Sequence, residues 1–226
     1  MNDIQQRFDI IMQRLHNAAQ QYQTAPPLLL AVSKKHSVEA IKAMYQCGQR
    51  AFGESYVQEA LEKQQQLAQL DIQWHFIGPI QSNKTKSIAN HFDWVHSVDR
   101  LKVARRLSEQ RSANLSPLNI CIQINIDNEA GKAGVLPADA VSLCNTISTL
   151  PQLKIRGLMC IPKKQDSLAA QRATFSKVVA LFTTLKQADF PDLDTLSMGM
   201  SNDYEAAIAE GATIVRIGTA LFGPRI

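Results

Sequence analysis

The chain has 226 residues, 45% of them hydrophobic and 19% charged, ordinary proportions for a globular chain able to bury one sizeable core. Its 24 Lys and Arg against 20 Asp and Glu leave a net charge of +4. That excess is scattered in pairs such as Lys34-Lys35 and Arg105-Arg106 with no interleaved aromatics, which argues against nucleic-acid binding. No apolar run reaches membrane-spanning length, the N-terminus lacks the apolar stretch of a signal peptide, and Cys47, Cys121, Cys144 and Cys160 form neither C-x-x-C pairs nor a zinc pattern; the expectation is a cytoplasmic protein with reduced thiols, no membrane contact and no metal.

Residues 4–22 place Ile4, Phe8, Ile11, Met12, Leu15 and Ala19 at helical spacing, and Pro26-Pro27 end that approach. Strands and helices then alternate. Strand 28–34 precedes helix 37–47, with Ser37 as N-cap and Gly48 just past its end. Strand 51–54 precedes a polar helix running to about residue 70, strand 74–78 precedes helix 83–91, and strand 94–98 precedes helix 100–111, capped by Asp99. Strand 118–126 is the richest in β-branched residues, and helix 137–150 opens on Pro137. Strand 155–161, helix 168–188, strand 195–200, helix 203–210 and strand 214–222 complete the series. Eight strands alternating with eight helices, counting the leading one, predict an α/β fold: a single (β/α)8 TIM-type barrel domain over 1–226 with an extra N-terminal helix. An open doubly wound sheet is the alternative, but neither a G-x-G-x-x-G nor a P-loop signature is present. The last strand ends close to Ile226, leaving no room in this sequence for a second domain.

In such barrels ligands bind at the carboxyl ends of the strands. Lys34 closes the first strand, where partial desolvation would free its amine for attack on a carbonyl. Lys35 is its rival: strand alternation puts the two on opposite faces, and because both faces are apolar the phase stays open. Ser55 follows the second strand. Gly199-Met200-Ser201-Asn202-Asp203 is a strand–turn–helix joint, where Ser201 could cap the next helix or offer its hydroxyl to a phosphate. Gly218 and Thr219 follow on the last strand, beside the usual phosphate position of barrel enzymes. Arg216 lies within an apolar strand and needs a buried partner, either a structural carboxylate or a ring nitrogen of a bound heterocycle. His75 reads as a satisfied core histidine or as a catalyst.

The stretches AVSK (31–34), FGESYVQE (52–59), WHFIGPIQSNK (74–84), HFDWVHSVDR (91–100), IQINIDNEAGKAG (122–134), RGLMCIP (156–162), LSMGMSNDYEAAI (196–208) and VRIGTALFG (215–223) cover nearly the whole length. In combination the chain resembles the pyridoxal phosphate homeostasis proteins, which are similar to the barrel domain of alanine racemase without its second domain. The resemblance implies pyridoxal 5′-phosphate as cofactor, held as a Schiff base on Lys34. It implies phosphate contacts from Ser201, Gly218 and Thr219, and Arg216 facing the pyridine nitrogen. Ser55, His75 and Met200 complete the expected cofactor-binding set. Ser55 departs from the family's FGENY pattern, replacing the asparagine with a hydroxyl that can still hydrogen-bond but has a shorter reach. Many members also extend further in a basic tail, which this sequence does not match. The implied role is non-catalytic: binding, buffering and passing on pyridoxal phosphate, with transient apo-enzyme partners, as a monomer. Two alternatives are a weak amino-acid racemase, with Tyr56 or His75 opposite Lys34, and a cofactor-free aldolase using the same lysine.

Overall fold

The computed structural model describes residues 3–224. Among them the elements run α1 (Asp3–Tyr22), β1 (Leu28–Val32), α2 (Val38–Gln46), β2 (Ala51–Glu54), α3 (Val57–Gln66), β3 (Gln73–Phe76), α4 (Thr85–His91), β4 (Trp94–Val98) and α5 (Leu101–Gln110). They continue through β5 (Leu118–Ile124), α6 (Pro137–Ser148), β6 (Leu153–Cys160), α7 (Leu168–Ala188), β7 (Thr195–Met200), α8 (Tyr204–Ala209), β8 (Ile214–Ile217) and α9 (Thr219–Phe222). The strands pair in sequence order, all parallel, and close when β1 pairs with β8 through Leu28–Ile214 and Leu30–Arg216. This is the (β/α)8 barrel with an added N-terminal helix, and α1 packs on α8, α9 and α2.

Three local expectations are corrected. Asp99 does not cap α5: Arg100 is the N-cap, without a side-chain capping bond, and the Asp99 carboxylate instead accepts from Arg100 Nη1 at 2.7 Å. The last strand ends at Ile217, and Gly218 turns the chain into the short α9, so 219–222 are helical rather than extended. The polar helix after β2 ends at Gln66, four residues short of its expected end. Ser37 does cap α2, accepting from the Ala40 amide at 3.2 Å.

Strand alternation divides the core into two layers. Leu29 and Ala31 face outward and join Phe52, Phe76 and Val95 in the layer between strands and helices. Leu30 faces inward and meets Ala51 and Ile214, while Trp94, Cys121 and Met159 form a second interior cluster. This fixes the phase of β1: even-numbered residues point into the barrel.

At Gly157 a Cβ would lie 1.7 Å from the Thr195 carbonyl oxygen, across the β6–β7 pairing. No side chain has room there without parting the strands. Gly157→Ala is expected to cost about 1–3 kcal/mol or more, lowering Tm by about 2–4 °C for each of those kcal/mol. An unchanged melting temperature would contradict this packing.

Candidate functional site

At the carboxyl ends of the strands a cavity of about 150 Å³ is lined by Val32, Lys34, Ile77, Ile161, Met200, Ser201, Arg216, Gly218 and Thr219. Six of the residues singled out in the sequence therefore meet on one wall-and-floor surface: Lys34, Met200, Ser201, Arg216, Gly218 and Thr219. A hollow of about 280 Å³ lies at the opposite mouth, between the start of β6 and the loop before β7. It contains none of the sequence candidates.

Lys34 follows Leu30 and Val32 in phase, and its Nζ lies 3.2 Å from the Ser55 hydroxyl, to which it donates. Lys35 departs in the other direction. Its φ of +61° turns the chain, its side chain is exposed, and its ammonium sits 5.8 Å from the centre of the Tyr56 ring. The flanking backbone is held by a buried charge cluster. Lys63 Nζ donates to the Ser33 carbonyl at 2.8 Å, to Glu54 Oε1 at 2.8 Å and to Glu59 Oε1 at 2.6 Å. Ser33 Oγ donates to Glu54 Oε1 at 2.6 Å, and the Lys35 amide donates to Glu59 Oε1 at 2.5 Å. Residues on both sides of Lys34 are thus anchored to one ammonium and two carboxylates. Burial pushes the Glu54 carboxyl above its usual range, an effect that Lys63 opposes.

Across the cavity, Gly199 has a φ of +92°, and a Cβ there would approach the Ala207 side chain to 2.6 Å, so the turn after β7 needs glycine. Ser201 is not the helix cap that its position suggests. Asp203 is the N-cap of α8, and its Oδ1 accepts from the Met200 amide at 2.6 Å, closing the turn. Ser201 is left exposed at the cavity rim. Opposite it stand Gly218 and Thr219, at the start of α9, where the first helical amides have no acceptor within the helix. His36, from the turn after β1, stacks on Phe222 at 4.8 Å and ties α9 to the Lys34 segment.

Arg216 forms part of the floor and is buried. Its Nη1 donates to the Ser197 carbonyl at 2.6 Å and to Ser197 Oγ at 2.8 Å, and its Nη2 to the Cys160 carbonyl at 2.9 Å. The structural carboxylate considered from sequence is not there: among the described residues Arg216 forms no salt bridge. His75 is not in the cavity wall. It is sealed inside the barrel, stacked on Trp94 at 5.5 Å with its Nδ1 2.9 Å from His96 Nε2, and burial pushes its imidazole down to about 3. Ser55 touches Lys34 but otherwise faces a neighbouring hollow shared with Tyr56, Gln81 and Lys84. The four cysteines are free, and burial drives the Cys121, Cys144 and Cys160 thiols up to about 12, removing them as nucleophiles.

Sequence reasoning missed Glu54, Glu59 and Lys63 as the support of Lys34. A signal was available in the i,i+4 spacing of Glu59 and Lys63 behind a strand-end glutamate. Lys63→Met leaves Glu54 buried without its cation, which is expected to cost about 3–5 kcal/mol. Lys63→Met with Glu54→Gln should recover part of that loss. Equal melting temperatures for wild type and the single variant would contradict the clamp.

Residues 11–225 match the family described as alanine racemase, N-terminal domain. A pyridoxal phosphate homeostasis protein of Pseudomonas aeruginosa is 53% identical over 227 residues, covering 100% of this chain and 97% of that one. PipY of Synechococcus elongatus, solved without pyridoxal phosphate, superposes with a TM-score of 0.85 at 41% identity over 98% of this chain and 100% of PipY. Its structure with pyridoxal phosphate bound gives 0.83 at 39% identity, with the same coverage. An alanine racemase of Clostridium difficile 630, at 15% identity and TM-score 0.72, shares the fold over 94% of this chain and 56% of its own. The chain belongs to the pyridoxal phosphate homeostasis proteins, within the alanine racemase N-terminal domain family.

Proposed function

We infer that this protein holds pyridoxal 5′-phosphate reversibly and passes it to apo-enzymes, buffering the cofactor as a monomer in the reducing cytoplasm. The observation that carries this reading is the convergence of an amine, a buried guanidinium and a hydroxyl-and-amide rim on one cavity: Lys34, Arg216, and Ser201 with Gly218 and Thr219. That donor set fits the group, because it offers an amine to an aldehyde, a donor to a ring nitrogen and an anion site to a phosphate. When bound, pyridoxal phosphate supplies the electrophilic aldehyde.

Lys34 carries the covalent link. Its amine adds to the aldehyde and water leaves, giving a Schiff base that hydrolysis reverses. Ser55 holds the Lys34 amine at the cavity edge, and the Lys63 cluster fixes the backbone on both sides of it. Ser201 and Thr219 supply hydroxyls at the rim, and the first amides of α9 supply further donors, those of Leu221 and Phe222 being used within the turn. Arg216 donates from the floor and takes no proton in return. Met200, Ile77 and Ile161 provide apolar walls.

Support for holding rather than turnover comes from the lining itself. Its ionisable members are Lys34 and Arg216, and racemisation needs a second acid–base group within hydrogen-bond reach of the substrate proton. Tyr56 lies in the neighbouring hollow and is 49% exposed, and His75 lies within the barrel core. Alanine α-deuterium exchange at high protein concentration separates the readings: a binding protein gives none, and a racemase gives exchange.

The direct test is the visible absorbance of the protein mixed with pyridoxal phosphate. Lys34→Ala is expected to abolish the band that borohydride reduction shifts, whereas Lys35→Ala keeps it. A colourless wild type, or loss of the band in Lys35→Ala alone, would overturn the assignment. Ser201→Ala removes one hydrogen bond to a charged group, worth about 1.5 kcal/mol or more, so the cofactor should dissociate about tenfold more readily. Unchanged dissociation would count against the phosphate rim.

A further inference from the structure

We propose that Ser197, His96, His75 and Gln73 form a one-way hydrogen-bond relay through the barrel interior that positions the Arg216 guanidinium beneath the cavity. The four side chains lie on β7, β4 and β3; Ser197, His96 and His75 are sealed inside the barrel. Arg216 Nη1 is 2.8 Å from Ser197 Oγ, and Ser197 Oγ is 2.8 Å from His96 Nδ1. His96 Nε2 is 2.9 Å from His75 Nδ1, and His75 Nε2 is 2.9 Å from Gln73 Oε1. Gln73, at the start of β3, is exposed, so the relay runs from the floor of the cavity to the opposite mouth.

The proton order follows from the chemistry of its ends. A guanidinium only donates, so Ser197 Oγ accepts from Arg216. The Ser197 hydroxyl is fully buried, and its own proton is used only if it is given to His96 Nδ1. His96 must then carry its proton on Nε2 and donate to His75 Nδ1. His75 in turn carries its proton on Nε2 and donates to the Gln73 carbonyl oxygen. Every donor points away from Arg216, and the acceptor at the far end agrees with the donor at the near end. Bonds aligned in one sense polarise one another.

Both imidazoles are therefore neutral. The groups around them reinforce this: His96 faces His75 and Arg216, the Arg156 guanidinium lies over the Trp94 ring on which His75 stacks, and Cys160, Asp203 and Cys121 act on Arg216. Burial, the facing His75 and the Arg216 cation all disfavour a charge on His96. Arg216 keeps its positive charge among oriented dipoles, two main-chain carbonyls and the relay, with no salt-bridged carboxylate among the described residues and Asp203 acting on it only from a distance. Its charge stays directed at an acceptor in the cavity. Ser197, His96, His75 and Gln73 are positioning residues acting through Arg216.

The relay is tested without the cofactor by nitrogen-15 NMR of the histidine rings in the wild-type protein. His75 and His96 should both be neutral with the proton on Nε2, and neither should titrate between about pH 5 and 8, where an ordinary histidine changes charge. A proton on Nδ1 of either ring, or imidazolium formation in that range, would overturn the proposal. A second arm rests on the proposed function. Ser197→Ala should bind pyridoxal phosphate about tenfold more weakly and give a bound-cofactor band whose position changes with pH, because Arg216 is no longer held against the ring nitrogen. Ser197→Thr, which keeps the hydroxyl, should restore the wild-type profile. A wild type without any band would remove the functional reading while leaving the NMR result to judge the relay. A wild-type band reproduced unchanged in folded Ser197→Ala would remove the relay's role in positioning Arg216.

Discussion

A parallel barrel closed by eight strands sends alternate side chains of every strand into one sealed interior, and that alternation decides what stands at the mouth of this protein. Leu30 and Val32 enter the barrel, so Lys34 arrives at the cavity and Lys35 is turned away by a positive φ. The same rule carries His75, His96, Ser197 and Arg216 inward on four other strands. An interior this dry tolerates polar groups only when their hydrogen bonds are satisfied. Here the polar side chains are linked into a seam beside the apolar clusters of Leu30, Ala51 and Ile214, and of Trp94, Cys121 and Met159.

Two cations of the region are handled in opposite ways, and the difference bears on function. Lys63 is compensated by Glu54 and Glu59 outside the cavity, forming a structural clamp whose charges are spent on one another. Arg216 is surrounded by carbonyls and a hydroxyl, so its charge is stabilised without being neutralised. A guanidinium of this kind offers a fixed donor to an acceptor arriving from above. Opposite it, an amine set between two anchored residues offers a nucleophile. This pairing is what the proposed capture and release of a small, phosphorylated aldehyde would need, and Val32, Ile77 and Ile161 give the cavity an apolar lining.

The barrel itself was legible because its signal is redundant: short apolar runs, separated by helical periods, repeat along the whole chain. Lys34, Ser201, Arg216, Gly218 and Thr219 were legible as strand-end residues, although periodicity alone could not choose between Lys34 and Lys35. That choice needs the barrel closed, since both faces of β1 are apolar. Of the two roles open to Ser201 in the sequence, the helix cap falls to Asp203, two residues on, which closes the turn through the Met200 amide. The helical α9 was hidden within an apolar run that reads equally well as strand or helix. The resemblance places His75 with the cofactor residues, whereas its contacts run down the barrel towards Gln73 and His96. The relay joins residues up to 101 positions apart, and no local pattern encodes such a contact.

The most direct measurement asks where the proposed covalent link to pyridoxal phosphate forms. Protein incubated with pyridoxal phosphate, reduced with borohydride, digested and analysed by mass spectrometry should carry one pyridoxyl-phosphate adduct, on Lys34. An adduct on Lys35 or Lys84, or labelling spread over surface lysines with Lys34 unmodified, would contradict the placement of the amine at the mouth of β1.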